Sequence, residues 1–336
     1  MARRRPAVTA IRSVAPSVIL VLAGTLALGT SAAEPVRIGY LNVMDDAPTM
    51  VAYDAGLYAQ EGLDPTLQLF GSGTDLIKGL VTGDLDVGVL GFTNALAWVA
   101  RGADLRIVGG AQMGYHAIVV RKDSGIRRVE DLKGRSLATQ KQGSTADVVL
   151  NGVTLAQAGL TRQDLQMVYV SPAVAVQSLV AGRVDAAFLF EPYDRIARLT
   201  APVEPIYEIG QVWPFPCMVV ITSGKAWKER RPVIEAVLAA QRRAIELLES
   251  APDQAAALVA HRFIPGSTLE TPAGPVPATQ VIREAIETQT FTWRITPDQS
   301  SRMKEIAGLM QDQGILAEPV DVEKVLDLSW QEGQEG

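Results

Sequence analysis

The chain of 336 residues carries 31 Lys and Arg against 37 Asp and Glu, a formal net charge of −6, with 48% apolar residues. That acidic balance, with its basic residues scattered, argues against nucleic acid as a partner, because such binding rests on phosphates neutralised by clustered Lys and Arg. The length suffices for two domains of ordinary size, and a single cysteine, Cys217, excludes an internal disulfide.

Arg3, Arg4, Arg5 and Arg12 precede an acid-free apolar run over 14–30, and Ser31-Ala32-Ala33 supplies small residues before Glu34. A basic start, an apolar centre and a small-residue exit predict a secretory signal peptide over 1–33, cleaved near Ala33, and hence an exported protein, for which the resemblance named below implies the periplasm. The alternative is an uncleaved anchor, for which the run is short and interrupted by Gly24 and Gly29. The triple arginine leaves the general and the twin-arginine export routes both open. No later stretch is long and apolar enough to cross a bilayer.

Strand and helix patterns then alternate. Residues 36–41 read as a strand, 42–48 as a polar loop, and 49–58 as a helix opened by Pro48. A second strand over 66–70 leads into Gly71-Ser72-Gly73-Thr74, which opens a helix ending near Gly83. A strand over 86–90 is followed by Gly91-Phe92-Thr93-Asn94 and a further helix. Residues 117–120 read as a strand running into 121–125, where a first crossing between lobes is expected. A second unit follows: a strand over 136–139, a helix opened by Gly143-Ser144-Thr145 and reaching about Ala158, a strand over 167–170, a helix through Leu179, and a strand over 186–190. The strand over 218–222 returns the chain to the first lobe. From Pro232 the chain is mostly helical, with Ile234, Leu238, Gln241, Ile245 and Leu248 on one stripe. Residues 266–277 are rich in Pro, Gly and Thr and read as a surface loop.

Two of these segments nearly repeat. Leu80-Val81-Thr82-Gly83-Asp84-Leu85-Asp86 and Leu179-Val180-Ala181-Gly182-Arg183-Val184-Asp185 match in Leu, Val, Gly and Asp at an offset of 99. The pattern is a helix end, a glycine stop and a short buried strand. Duplicated α/β units predict two similar lobes, each a sheet flanked by helices, with two crossings between them. The expected boundaries are 34–121 with 217–336 for lobe 1 and 122–216 for lobe 2. A cleft between lobes is a preferred place for a small ligand.

The three loops at 71–74, 91–94 and 143–145 share a design in which small and hydroxyl-bearing residues open a helix. The first amides of a helix lack partners and the peptide dipoles sum to partial positive charge there. Such loops hold carboxylate, sulfonate or phosphate; the other reading is ordinary N-capping by Ser and Thr. Lys141 either adds a cation or is solvated. Gly71-Ser72-Gly73 lacks the third glycine of a dinucleotide fingerprint, and no P-loop occurs. His116 and His261, the only histidines, have no metal-ligand spacing and no nucleophile elbow beside them, so neither a metal, a cofactor nor a catalytic residue is expected. His116 lies near the crossing as a structural or ligand-facing residue. Cys217, in the apolar run 216–221, reads as a small buried side chain. Glu191 either meets an amino or ring-nitrogen group or caps the next helix, and Trp213 and Phe215 either stack a ligand or pack.

Taken together these residues resemble the periplasmic substrate-binding proteins of ABC importers, in the NMT1-like branch of sulfonate, taurine, nitrate and thiamine-precursor binders. The resemblance is carried by Ala55-Gly56-Leu57-Tyr58 to Glu61-Gly62-Leu63, by 80–86, by 129–134 before Ser136, by Gly143-Ser144-Thr145, and by Glu191-Pro192-Tyr193. It implies a two-lobed type II-like α/β clamp, monomeric, delivering a small organic anion to a membrane permease and its ATPase. It places ligand contacts at Asn42, Ser72, Gly73, Thr74, Phe92, Thr93, Gly143, Ser144, Thr145 and Glu191. One departure is the loop Val43-Met44-Asp45-Asp46, where thiamine-precursor relatives have an aromatic residue or His; Asp45 and Asp46 either face an amino group or are solvated. Three other readings stay open: a binder of a thiamine-precursor pyrimidine or other aromatic or nitrogenous solute, an enzyme on the same fold, of the pyrimidine- or menaquinone-synthesis type, and a periplasmic sensor.

Overall fold

A computed structural model of the chain describes residues 1, 2 and 32–334; the expected signal peptide falls almost wholly outside them. The elements below belong to the one unit that starts at Ala33. They build two sheets. The first contains β1 (Glu34–Leu41), β2 (Leu63–Phe70), β3 (Val87–Gly91), β4 (Leu105–Met113) and, much later, β10 (Pro216–Ser223). The second contains β5 (Ala117–Arg121), β6 (Ser136–Thr139), β7 (Gln166–Tyr169), β8 (Ala186–Leu189) and β9 (Val203–Glu208). Strand order is β4-β10-β3-β1-β2 in the first, with Thr290–Phe291 added at the β4 edge, and β7-β6-β8-β5-β9 in the second.

The orders are the same path walked twice. β1 lies parallel between β2 and β3, as β6 lies parallel between β7 and β8. In each sheet one antiparallel strand, β10 or β5, stands beside that parallel set. The repeated aspartates explain why the sequence repeats there. Asp86 Oδ2 accepts the Arg37 backbone N–H at 2.9 Å, and Asp185 Oδ2 accepts that of Ser136 at 2.8 Å. Each carboxylate thus pins the start of the central strand to the turn before its neighbour. The helix that precedes each turn buries its leucine, Leu80 or Leu179, completely.

Three expectations are corrected. The strand at 117–121 belongs to the second sheet, since it pairs antiparallel with β8 and β9; the first crossing therefore lies at 114–116, not at 121–125. β4 and β9 were not expected. β4 contains Gly109-Gly110, which weakens a strand pattern, yet position 110 needs glycine because a Cβ there would stand 2.6 Å from the Thr292 carbonyl oxygen. The helix expected at 49–58 is broken into Ala47–Asp54 and Leu57–Gln60. The return strand is found where expected, as β10. The stripe around 234–248 is buried on the helix Arg231–Ser250, and its one polar member, Gln241, donates to Thr49 Oγ1 at 3.3 Å and Tyr58 OH at 3.2 Å. The loop at 266–277 holds a small ribbon, Thr268–Leu269 against Val276–Pro277. Among the described residues no helix is long and apolar enough to cross a membrane.

Candidate functional site

In both sheets the parallel strands end toward a shared cleft, where ligands of open α/β sheets bind. A cavity of about 810 Å³ lies there. The first lobe supplies Leu41, Asn42 and Val43 at the end of β1 and 69–75 around the end of β2; the second supplies Gln140, Lys141 and Ser144 after β6, 169–173 from the end of β7, and Phe190 and Tyr193 after β8. A smaller cavity of about 40 Å³ shares Leu41, Val43, Gly73, Gln140, Ser144 and Phe190 with it and continues to Asp45, Asn94, His116, Thr145 and Cys217.

Of the ten residues expected to contact ligand, Asn42, Ser72, Gly73, Thr74 and Ser144 line the larger cavity, and Thr145 lines the smaller one. Gly73 and Thr74 open the helix Gly73–Thr82, so their amides point its positive end into the cleft. Ser144 is the N-cap of the helix that begins at Thr145, accepting the Asp147 N–H at 3.2 Å, and its own O–H proton stays available to a ligand. The remaining four sit outside both linings. Phe92 is fully buried in the core. Thr93 is buried against the opposite lobe, its hydroxyl 3.0 Å from that of Thr145. The Gly143 amide is spent on Asp147 Oδ2 at 2.8 Å. Glu191 is fully buried, accepts the Arg195 backbone N–H at 3.2 Å and lies 3.5 Å from Arg198. That geometry matches the helix-capping reading of Glu191.

Contacts between the lobes rim the cavity. Lys141 Nζ stands 3.2 Å from Asp75 Oδ2 across the cleft. Tyr193 OH donates to the Asn42 carbonyl at 3.1 Å, and Met44 N–H to the Glu191 carbonyl at 3.1 Å. Hydrogen bonds from Ser72 first, then from Lys78 and Lys141, hold the Asp75 carboxyl down to about 2. Lys141 is therefore paired. The two lobes approach closely at Gly91, where a Cβ would fall 2.4 Å from Thr145 Oγ1 of the other lobe.

The floor is where sequence reading missed most. Asp45 and Asp46 are buried, 3% and 0% exposed, so the solvated alternative does not hold. Burial, reinforced by Glu191, pushes the Asp45 carboxyl up to about 7, and burial pushes Asp46 well above the carboxylate range. Burial, then Asp194, raises Glu191 to about 7 despite Arg195 and Arg198. His116 stacks between Phe188 (5.3 Å) and Phe215 (6.0 Å), and its burial lowers it to about 3. Burial raises the Cys217 thiol well above its usual value, so the cysteine is the buried one expected. Trp213 packs on Phe215 at 5.9 Å and beneath Arg302, the packing alternative. Gln140, Tyr169 and Phe190, not singled out in the sequence, complete the cavity wall with Tyr193, which the sequence offered only as part of the Glu191-Pro192-Tyr193 motif. Polar donors at two helix starts, an aromatic wall and no unpaired cation in the cavity suit a small solute with one polar head and an apolar body.

Residues 29–263 match the model of the NMT1-like family. A Brucella abortus (strain 2308) relative, named as a binding protein, is 29% identical over 159 residues; the match takes in 47% of this chain and spans about half of that protein's length, 48%. An Escherichia coli (strain K12) relative whose name links it to aliphatic sulfonates is 30% identical over 255 residues, 72% of this chain and 77% of its own. Among solved structures, the periplasmic aliphatic sulphonate binding protein SsuA of Escherichia coli is 25% identical with a TM-score of 0.71, covering 87% of this chain and 96% of that one. The alkanesulfonate-binding SsuA of Xanthomonas axonopodis pv. citri, bound to MOPS, shares the fold at 23% identity and a TM-score of 0.75, covering 89% and 99%.

Proposed function

Because this chain belongs to the NMT1-like family, we propose that its cleft serves an ABC importer: the protein captures a small organic anion of the sulfonate or taurine class and presents it to the permease. The observation that carries this reading is the pair of helix starts, at Gly73-Thr74 and at Ser144, that face one cavity of about 810 Å³ from opposite lobes. An anionic head touching both is satisfied only when the lobes meet, so the solute favours the closed form. The lobes follow sheet membership, 34–113 with 216–334 against 117–208. The protein works in the periplasm as a monomer, after removal of the segment up to Ala33.

The cleft is a binding site and not a catalytic one. Cys217 and His116 do lie together, but the raised thiol and the lowered imidazole leave no thiolate–imidazolium pair to act as a nucleophile. The test is calorimetric titration of the chain from Glu34 onward with aliphatic sulfonates of increasing length, matched carboxylates and aminopyrimidines, with X-ray scattering of the free and bound forms. Sulfonate binding with a fall in radius of gyration supports the proposal. Binding of aminopyrimidines alone, or sulfonate binding with no compaction, overturns it.

A further inference from the structure

Beneath the solute cavity three distant parts of the chain converge. Asp45 comes from the loop after β1, His116 from the first crossing and Cys217 from the start of β10. One ligand atom from each lies within 4.8 Å of the others, and all three side chains are buried. Among the described residues this is the one group of three potential metal ligands so close together. All three line the cavity of about 40 Å³, space enough for a single ion or water. Asp45 Oδ1 and His116 Nδ1 have no hydrogen-bond partner. Buried polar atoms are almost always satisfied, so two orphans lining one small hole ask for an occupant.

The chemistry narrows that occupant. A neutral imidazole whose ring is held by Phe188 and Phe215 offers a lone pair in a fixed direction. One nitrogen, one sulfur and one carboxylate oxygen are the donors of zinc-like ions, and three protein ligands leave a fourth position open. Calcium and magnesium take oxygen sets and are disfavoured.

We propose that Asp45, His116 and Cys217 bind one divalent transition-metal ion of the zinc type in the floor of the cleft. The site is independent of which organic solute fills the larger cavity above it. A second reading, a buried water bridging Asp45 and His116, is what the experiment must exclude.

The full chain, stripped with a chelator, is titrated with Co²⁺ as the spectroscopic probe and then with Zn²⁺ as competitor. The expected result is one Co²⁺ per chain, with a thiolate-to-cobalt charge-transfer band in the near ultraviolet that Zn²⁺ abolishes. Cys217→Ser removes the band, and His116→Gln weakens Co²⁺ binding by about tenfold or more; circular dichroism of the metal-free variants verifies their folds. The absence of saturable binding to the wild-type chain overturns the proposal, as does an unchanged band in Cys217→Ser. A chain that binds sulfonates but no Co²⁺ refutes the metal site and leaves the transport reading standing; the converse refutes only the latter.

Discussion

Gly91→Ala isolates closure from folding. Gly91 has φ −58° and ψ 129°, a backbone any residue adopts, so alanine adds no conformational strain. Within its own lobe the new Cβ meets nothing closer than Asn94 Nδ2 at 3.6 Å, ordinary contact. Across the cleft it meets Thr145 Oγ1 at 2.4 Å, about an ångström inside van der Waals distance. Thr145 cannot easily turn away: it is buried, β-branched, and its hydroxyl is 3.0 Å from Thr93 Oγ1. Overpacking of this kind costs about 1–3 kcal/mol, and here the whole cost falls on the closed form.

A penalty of about 1–3 kcal/mol on one state corresponds to about 5- to 150-fold in affinity for a ligand that selects it. Titration calorimetry of Gly91→Ala should therefore show that weakening, while the melting temperature without ligand stays within a degree or two of wild type. The double variant Gly91→Ala, Thr145→Ala removes the clashing oxygen and should recover most of the loss, giving a coupling energy of about 0.5–3 kcal/mol. Wild-type affinity in Gly91→Ala, or a loss that Thr145→Ala does not relieve, refutes the argument that the lobes close through this contact.

Ser144→Ala removes an N-cap worth about 1 kcal/mol and a hydroxyl from both cavities; it should lower the melting temperature slightly and weaken solute binding more than its stability effect explains, as titration will show. Asp185→Asn breaks the charged bonds to the Ser136 N–H and hydroxyl, both at 2.8 Å, and should destabilise by about 1.5–3 kcal/mol in urea unfolding. Asp45 and Glu191, both raised to about 7, bind protons in the folded chain that the unfolded chain has already released. The stability they lend is complete below their unfolded values and lost as pH rises through about 7, so the melting temperature should be higher at pH 5 than at pH 8. The double variant Asp45→Asn, Glu191→Gln should reduce that slope, with Asp46, also raised by burial, keeping part of it and His116, lowered by burial, opposing it; an unchanged slope assigns it to other groups. Lys141→Ala cuts an exposed pair, side chains 53% and 45% accessible, worth at most about 1 kcal/mol. Its effect on solute affinity should stay below about fivefold and fade with salt.

What the sequence announced was what repeats or has local chemistry. Asp86 and Asp185 stood out because each must pin a strand start, and that demand is met the same way in both lobes. Ser72, Gly73, Thr74 and Ser144 were legible because a helix start needs small hydroxyl residues and leaves its amides facing outward. Phe92, Thr93 and Gly143 belong to loops of the same design, yet their groups are consumed by the core, the other lobe and Asp147. Spacing alone does not show that: Thr93 meets Thr145 across the cleft, about fifty residues away, Phe92 is taken up by packing, and the Gly143 amide turns back on Asp147 four residues on. The floor was harder still. Asp45, His116 and Cys217 each look ordinary in their own segments, a loop acid, a lone histidine and a strand cysteine. They meet because β10 returns antiparallel beside β3 and because the first crossing comes at 114–116, the point the sequence placed too late. A crossing read at 121–125 leaves His116 inside a lobe; one at 114–116 sets it between the lobes, beside Cys217 at the start of β10 and Asp45 in the loop after β1.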